Sequence, residues 1–202
     1  MASDKIILGL DPGTNVMGFG IISFKNQKLK YLLLNKPKNY TSSFKDSYKK
    51  NSVMSLIRGK CREEIFPIGK LDKKSTGLML FSNDNDLSKK LTKKSLKIKS
   101  IYHATLNKNL NDSDLNKIRT KKWSEFGIQI NDIAYANQND KKEIGIEIVG
   151  PTKNIIEKIF EQFDYQTTKI DRVYYGGLTK KNLARKESRF LTEEEVSILK
   201  RQ

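Results

Sequence analysis

Phe66-Pro67-Ile68-Gly69-Lys70-Leu71-Asp72-Lys73-Lys74-Ser75-Thr76-Gly77-Leu78-Met79-Leu80-Phe81-Ser82-Asn83-Asp84 is the stretch on which the reading of this chain turns. Gly77–Ser82 is a continuous apolar run of strand length, the pattern of a strand buried on both faces. The side-chain oxygens of Asn83-Asp84-Asn85-Asp86 can accept from the free N–H groups that open a helix over Leu87–Leu91. Taken alone, Asp72 reads equally as a turn or helix-cap aspartate and as a functional acid.

Outward from this stretch, strands and helices mix without strict β-α-β alternation. Lys5–Leu10 and Met17–Phe24 read as a hairpin around Asp11-Pro12-Gly13-Thr14, and Tyr31–Leu34 as a buried strand. Residues 40–52 are polar and loop-like, and Val53–Arg58 suits a short helix. Ser100–Asn107 alternates as a strand does. Asp112–Arg119 suits a helix, Gly127–Tyr135 and Lys142–Val149 an antiparallel pair, and Gln166–Val173 a final strand. Apolar residues at 155, 156, 159, 160 and 163 have helical spacing. Thr192-Glu193-Glu194-Glu195 is a capping-box signature. The expected class is α+β with a mostly antiparallel central sheet flanked by helices, plus an N-terminal β-hairpin.

The chain has 202 residues with 39 Lys+Arg against 23 Asp+Glu, a formal charge of +16. Such an excess points to a polyanionic partner, nucleic acid first. Lys89, Lys90, Lys93, Lys94, Lys97, Lys99 and Lys108 form a dense stripe, which reads as a phosphate-contacting surface or as a solvated lysine face. Lysines outnumber arginines 32 to 7, and the planar fork of arginine is the better phosphate reader. No apolar run approaches the ~18–20 residues of a membrane helix, and no secretory leader is expected. One cysteine, Cys61, and one histidine, His103, argue against a disulfide framework, a zinc site and a His-based catalytic engine. His103 reads as a surface residue on the strand face opposite Tyr102.

The central stretch resembles the G-R-L-D…[ST]-x-G-L-[LM]-L-x-[ST]-N-D signature of ribosomal RNA pseudouridine synthases of the RsuA/RluB type. Tyr31-Leu32-Leu33-Leu34-Asn35-Lys36-Pro37 resembles their opening strand, and Ile101-Tyr102-His103-Ala104-Thr105-Leu106 their K-x-Y-x-V-x-L strand. Arg172-Val173, Gly177-Leu178-Thr179 and Arg189-Phe190-Leu191-Thr192 resemble their ending. The likeness runs in consistent order over residues 30–202, expected to form the catalytic domain. It implies the pseudouridine-synthase fold and isomerisation of a uridine in ribosomal RNA, without metal or redox cofactor. It implies Asp72 as the catalytic aspartate, acting as nucleophile or base, Tyr102 as the ring on which the flipped base stacks, and Lys70, in the place of an arginine, as electrostatic support. Lys153 and Lys158 join the stripe as RNA contacts. The chain is expected to be cytoplasmic, monomeric and unattached to membrane.

Two features depart from that pattern. Where the resemblance expects G-R-N-R-Q-V-R-R-M-F, residues 151–160 read Pro-Thr-Lys-Asn-Ile-Ile-Glu-Lys-Ile-Phe, and position 157, that of the arginine pairing with the catalytic acid, holds Glu. A carboxylate there opposes a second one nearby. Residues 5–22 instead resemble the first hairpin of a Holliday-junction resolvase. That segment, residues 1–29, reads as a fused remnant with Asp11 as a turn residue, since one aspartate cannot hold a two-metal site. Three alternatives follow: a non-catalytic RNA-binding or ribosome-assembly protein, a DNA-junction nuclease, and a decayed gene product that folds poorly.

Overall fold

The computed structural model describes residues 5–11, 18–24, 28–93, 98–150 and 154–202. In chain order the elements are β1 (Lys5–Asp11), β2 (Gly18–Phe24), β3 (Tyr31–Lys36), α1 (Val53–Ile57), β4 (Phe66–Ile68), β5 (Thr76–Ser82), α2 (Asn85–Thr92) and β6 (Lys99–Leu106). They continue with α3 (Asp112–Thr120), β7 (Gln129–Tyr135), β8 (Glu143–Val149), α4 (Ile155–Glu161), β9 (Thr167–Tyr175), β10 (Leu178–Thr179), β11 (Ser188–Phe190) and α5 (Glu193–Arg201). β1 and β2 pair antiparallel as a two-stranded sheet of their own.

The main sheet runs β11-β3-β5-β9-β6-β8-β7, with β10 beside β9 and β4 beside β5. Every pair is antiparallel except β5 with β9, which meet in parallel at Thr76–Gly77 against Asp171–Arg172. Helices α1, α3 and α4 cover one face, packing Val53, Leu115, Ile156 and Phe160 with Leu34, Phe81 and Tyr102. Helices α2 and α5 cover the other at the β3–β5 end, where Leu87 and Leu199 meet Leu33, Leu78 and Leu80. Strand β5 is therefore covered on both faces, as its unbroken apolar run requires. Leu78, Met79, Leu80 and Phe81 are wholly buried, and cutting any one back to alanine costs ~2–5 kcal/mol.

The β5–β9 contact sets the position of the candidate site. A Cβ on Gly77, whose φ is +108°, would lie 2.3 Å from the Arg172 carbonyl oxygen, so only glycine allows the two strands to touch. Arg172, 1% exposed, donates from Nε and Nη2 to the Leu78 carbonyl at 2.8 and 2.6 Å. Its guanidinium lies 4.3 Å from the centre of the Tyr175 ring. The buried charge thus ties β9 to β5.

The long elements fall where periodicity and capping place them. Asp84 Oδ1 accepts from the Leu87 N–H at 2.9 Å and caps α2. Thr192 and Glu195 form the expected capping box, with Glu195 also gripped by Arg189 at 2.7 Å twice. The short strands β4, β10 and β11 are not foreshadowed. Each is two or three residues long and exists only because a longer strand offers it an edge. Within the polar segment 40–52, Phe44–Asp46 forms a single 3-10 turn and Thr41 bridges Ser52.

Candidate active site

Asp72 lies on the connector between β4 and β5, and this connector is pinned from beneath. Lys36, at the end of β3 and fully buried, donates from Nζ to the carbonyls of Asp72 (2.8 Å), Ser75 (2.6 Å) and Pro37 (3.3 Å). Burial pushes its ammonium down to about 8, against the opposing pull of the Asp72 charge, while Arg185 and Arg172 push it further down. Ser42 Oγ donates to the Leu71 carbonyl at 2.6 Å and accepts from the Leu71 N–H at 3.2 Å. The main chain on both sides of Asp72 is therefore fixed by groups remote in sequence.

Asp72 shares a narrow slot with Leu71, Ser75, Tyr102, Asn154, Ile155, Ile156, Glu157 and Ile170. Its free volume is only ≈ 10 Å³, about what one water needs. Tyr102, 1% exposed, reaches it from β6, and its hydroxyl has no hydrogen-bond partner among the described residues. From the start of α4, the Asn154 carboxamide meets Asp72; with the amide assigned so that nitrogen rather than oxygen faces the carboxylate, as hydrogen bonding requires, the nitrogen lies 2.7 Å from Oδ2 and 2.8 Å from Oδ1. Glu157 stands one turn on. Its Oε2 is buried without a partner among the described residues. Burial, and then the charge of Asp72, raise its carboxyl above the ordinary glutamate value, with Lys74 opposing. The slot thus holds two carboxyl groups, one of them biased towards the neutral acid.

Two larger basic hollows border the Asp72 connector. One, ≈ 410 Å³, is lined by Lys38, Lys74, Thr76, His103, Thr105, Glu143, Lys169, Ile170, Asp171 and Arg185. Ile170 lines both it and the slot. Its acids are engaged. Burial alone would raise Asp171, but hydrogen bonds from Arg185, Lys180 and Thr76 outweigh it and hold the carboxyl below its usual range. Glu143 Oε2 lies 2.6 Å from His103 Nε2, so His103 is a paired wall residue of this hollow rather than an isolated surface group. The second hollow, ≈ 480 Å³, is lined by Thr41, Asp46, Lys49, Lys50, Asn51 and Lys73.

A family model described as RNA pseudouridylate synthase matches residues 30–148. The chain belongs to this family. A protein of Aquifex aeolicus described as an uncharacterized RNA pseudouridine synthase is 30% identical over 181 residues, which cover 89% of this chain and 75% of that one. The ribosomal large subunit pseudouridine synthase B of Buchnera aphidicola is 26% identical over 156 residues, 76% of this chain and 63% of that protein. A crystal structure of a pseudouridylate synthase superposes with a TM-score of 0.72 at 17% identity, covering 89% of this chain and 76% of that chain. The synthase fold expected from the sequence is therefore the fold found.

Within this pseudouridine synthase fold, Asp72 and Tyr102, 30 residues apart in sequence, line one slot. Lys70 is exposed and forms no ion pair among the described residues. Lys89, Lys90 and Lys93 lie on or beside α2, which packs through Leu87 and Leu91 on the sheet face opposite that of Tyr102 and α4, and none of the three lines the slot. Lys90 caps the Lys200 carbonyl at 2.6 Å, and Lys99 pairs with Glu147 at 3.2 Å. Lys158 sits on α4 over the Phe126 ring, 5.6 Å from its centre. Lys94, Lys97 and Lys153 lie outside the described residues. Sequence reasoning passed over Lys36, Asn154, Lys49, Lys50 and Lys73. Lys36 stood within the opening-strand resemblance and Asn154 at an arginine position of the late motif, but neither was singled out; Lys73 carried only its adjacency to Asp72.

Proposed function

We propose that this chain isomerises a specific uridine of ribosomal RNA to pseudouridine, with Asp72 as the reacting carboxylate. The observation that carries the reading is the convergence of Asp72 and Tyr102 on one slot, on a connector clamped by the buried Lys36. The reaction breaks the N1–C1′ bond, turns the uracil and joins C5 to C1′, with the C5 proton replaced by one on N1. A fixed carboxylate can act as nucleophile or base in such a sequence. The Tyr102 ring supplies a face on which a flipped base stacks. Because the slot is ≈ 10 Å³, too small for a uracil, side chains that line it shift when the base enters.

The RNA backbone runs over the two basic hollows. Lys38, Lys74 and Lys169 face one, and Lys49, Lys50 and Lys73 the other. The lysines of α2, with Lys99 and Lys158, are outlying contacts for a long RNA. Lys70 adds positive potential from the solvent side, where salt screens it. No helix among the described residues is long and apolar enough to cross a membrane, and a monomer acting on RNA in the cytoplasm fits this reading.

Glu157 favours a second reading, a non-catalytic RNA-binding protein, because it puts a carboxyl where the resemblance expects a cation. Unmodified ribosomal RNA transcripts, treated with wild type or Asp72→Asn and then probed by carbodiimide labelling and primer extension, decide between them. A stop with wild type that vanishes with Asp72→Asn supports the synthase. RNA binding by a folded protein with no stop from either overturns it in favour of the second reading.

A further inference from the structure

We infer that Asn154 is the positioning residue for Asp72, a neutral amide holding the carboxylate that a cation would otherwise hold. The inference rests on the catalytic role proposed for Asp72. Three observations carry it. First, a terminal atom of the Asn154 carboxamide lies 2.7 and 2.8 Å from the two carboxylate oxygens, and assigned as nitrogen it donates to both. Turned the other way, the Asn154 oxygen would face only acceptors, so the hydrogen-bonding network fixes the orientation.

Second, Asn154 occupies the residue just before α4 but does not act as a helix cap. Its side chain takes no hydrogen bond from the first turn, although asparagine is among the best residues for that task. Its backbone is left-handed, φ 49° and ψ 23°, a conformation asparagine tolerates better than most residues. This turn of the chain aims the carboxamide away from the helix N–H groups and into the slot.

Third, the neighbouring position that the resemblance assigns to an arginine holds Glu157, with a buried oxygen that has no partner among the described residues. Among the described residues lining the slot, Asn154 is the side chain that supplies N–H donors to Asp72. A hydrogen bond to an ionised acceptor is shorter and stronger than a neutral one, so the amide can fix the carboxylate's rotamer without adding charge. Asn154 is itself solvent-exposed, so the bond stands at the open edge of the slot, where it can yield or slide along the carboxylate when a base enters.

Asn154→Gly separates the two possible reasons for an asparagine here. Glycine keeps the left-handed backbone at no steric cost and removes only the amide. Steady-state kinetics on a ribosomal RNA transcript should show kcat lowered about 10- to 100-fold, the scale of one hydrogen bond to a charged group, with KM within about twofold. Asn154→Asp, which sets carboxylate against carboxylate, should fall further. Melting temperatures of Asn154→Gly, Asp72→Ala and the double variant give a readout that needs no turnover. The contact makes the double variant's loss differ from the sum of the single losses. Wild-type kcat in Asn154→Gly, or additive melting temperatures, overturns the inference. A wild type that forms no pseudouridine overturns instead the reading on which it rests, and the melting cycle still decides the contact.

Discussion

Lys36 Nζ donates to the main-chain carbonyl of Asp72 at 2.8 Å, so a buried ammonium grips the peptide of this residue and leaves its carboxylate free for Asn154 and the slot. Division of labour of this kind is what a reactive acid needs. The backbone is held by a buried charge, and on the roles proposed for Asp72 and Asn154 the side chain is oriented by a weaker bond that can give way.

Replacing Lys36 with methionine keeps the apolar stem but removes the donors to three carbonyls. Leaving buried acceptors unpaired costs about 3 kcal/mol, and Lys36→Met should melt ~6–12 °C below wild type. Calorimetry checks it; a loss under two degrees would mean that the clamp contributes little.

Glu157→Gln should stabilise the protein, and the gain should depend on pH. The folded carboxyl is raised above its ordinary 4.5, so the folded state binds more protons than the unfolded one just above that value. Stability contributed by this group is therefore full below 4.5 and is lost as pH rises through the folded value. Wild type and Glu157→Gln should melt together near pH 4, and the variant should melt higher at pH 8. Melting curves across that range that stay parallel would contradict this.

Tyr102→Phe should keep the melting temperature or raise it slightly, because the hydroxyl is buried without a partner among the described residues and removing it relieves a desolvation cost of about 1 kcal/mol. If the ring serves as a stacking face, turnover survives in Tyr102→Phe and collapses in Tyr102→Ala. A Phe variant that folds but cannot turn over would give the hydroxyl a chemical role.

Lysines near and far from Asp72 should separate by RNA length. Lys49→Gln with Lys73→Gln should flatten the slope of log K against log salt by about 0.7 per lost phosphate contact, on a short stem-loop and a long transcript alike. Lys89→Gln with Lys93→Gln should do so only on the long transcript, because α2 packs on the sheet face opposite the slot. Filter binding at several salt concentrations measures both. Equal effects of the α2 pair on both RNAs would place that helix on the substrate's core path.

The parts of the candidate site that were legible in the sequence are those written in contiguous residues. Asp72 stands four residues before a strand whose apolar run marks it as buried, and Tyr102 lies in an alternating strand whose inward face is evident. Lys36 stood within the opening-strand motif, but its burial was illegible for a physical reason. A lysine at the end of Tyr-Leu-Leu-Leu-Asn-Lys reads as a solvated strand end, and it is buried only because carbonyls of a loop 36 and 39 residues away converge on its ammonium. Asn154 was equally hidden, since an asparagine ahead of a helix is ordinarily its cap. The stripe from Lys89 to Lys108 was conspicuous as composition, yet its α2 portion sits on the sheet face opposite the slot.

By itself, the sequence determined the long elements, their buried faces and the family, because apolar period, caps and an ordered set of motifs are local or depend only on order. Tertiary structure alone decided which charges are buried, which amide meets Asp72 and how small the slot is. Those outcomes depend on non-local approach. Gly77 lets β9 come within contact of β5, Ile170 and Arg172 arrive with it, and β6 beside β9 brings Tyr102 to the Asp72 slot. No span of residues short enough to read as a motif contains that geometry.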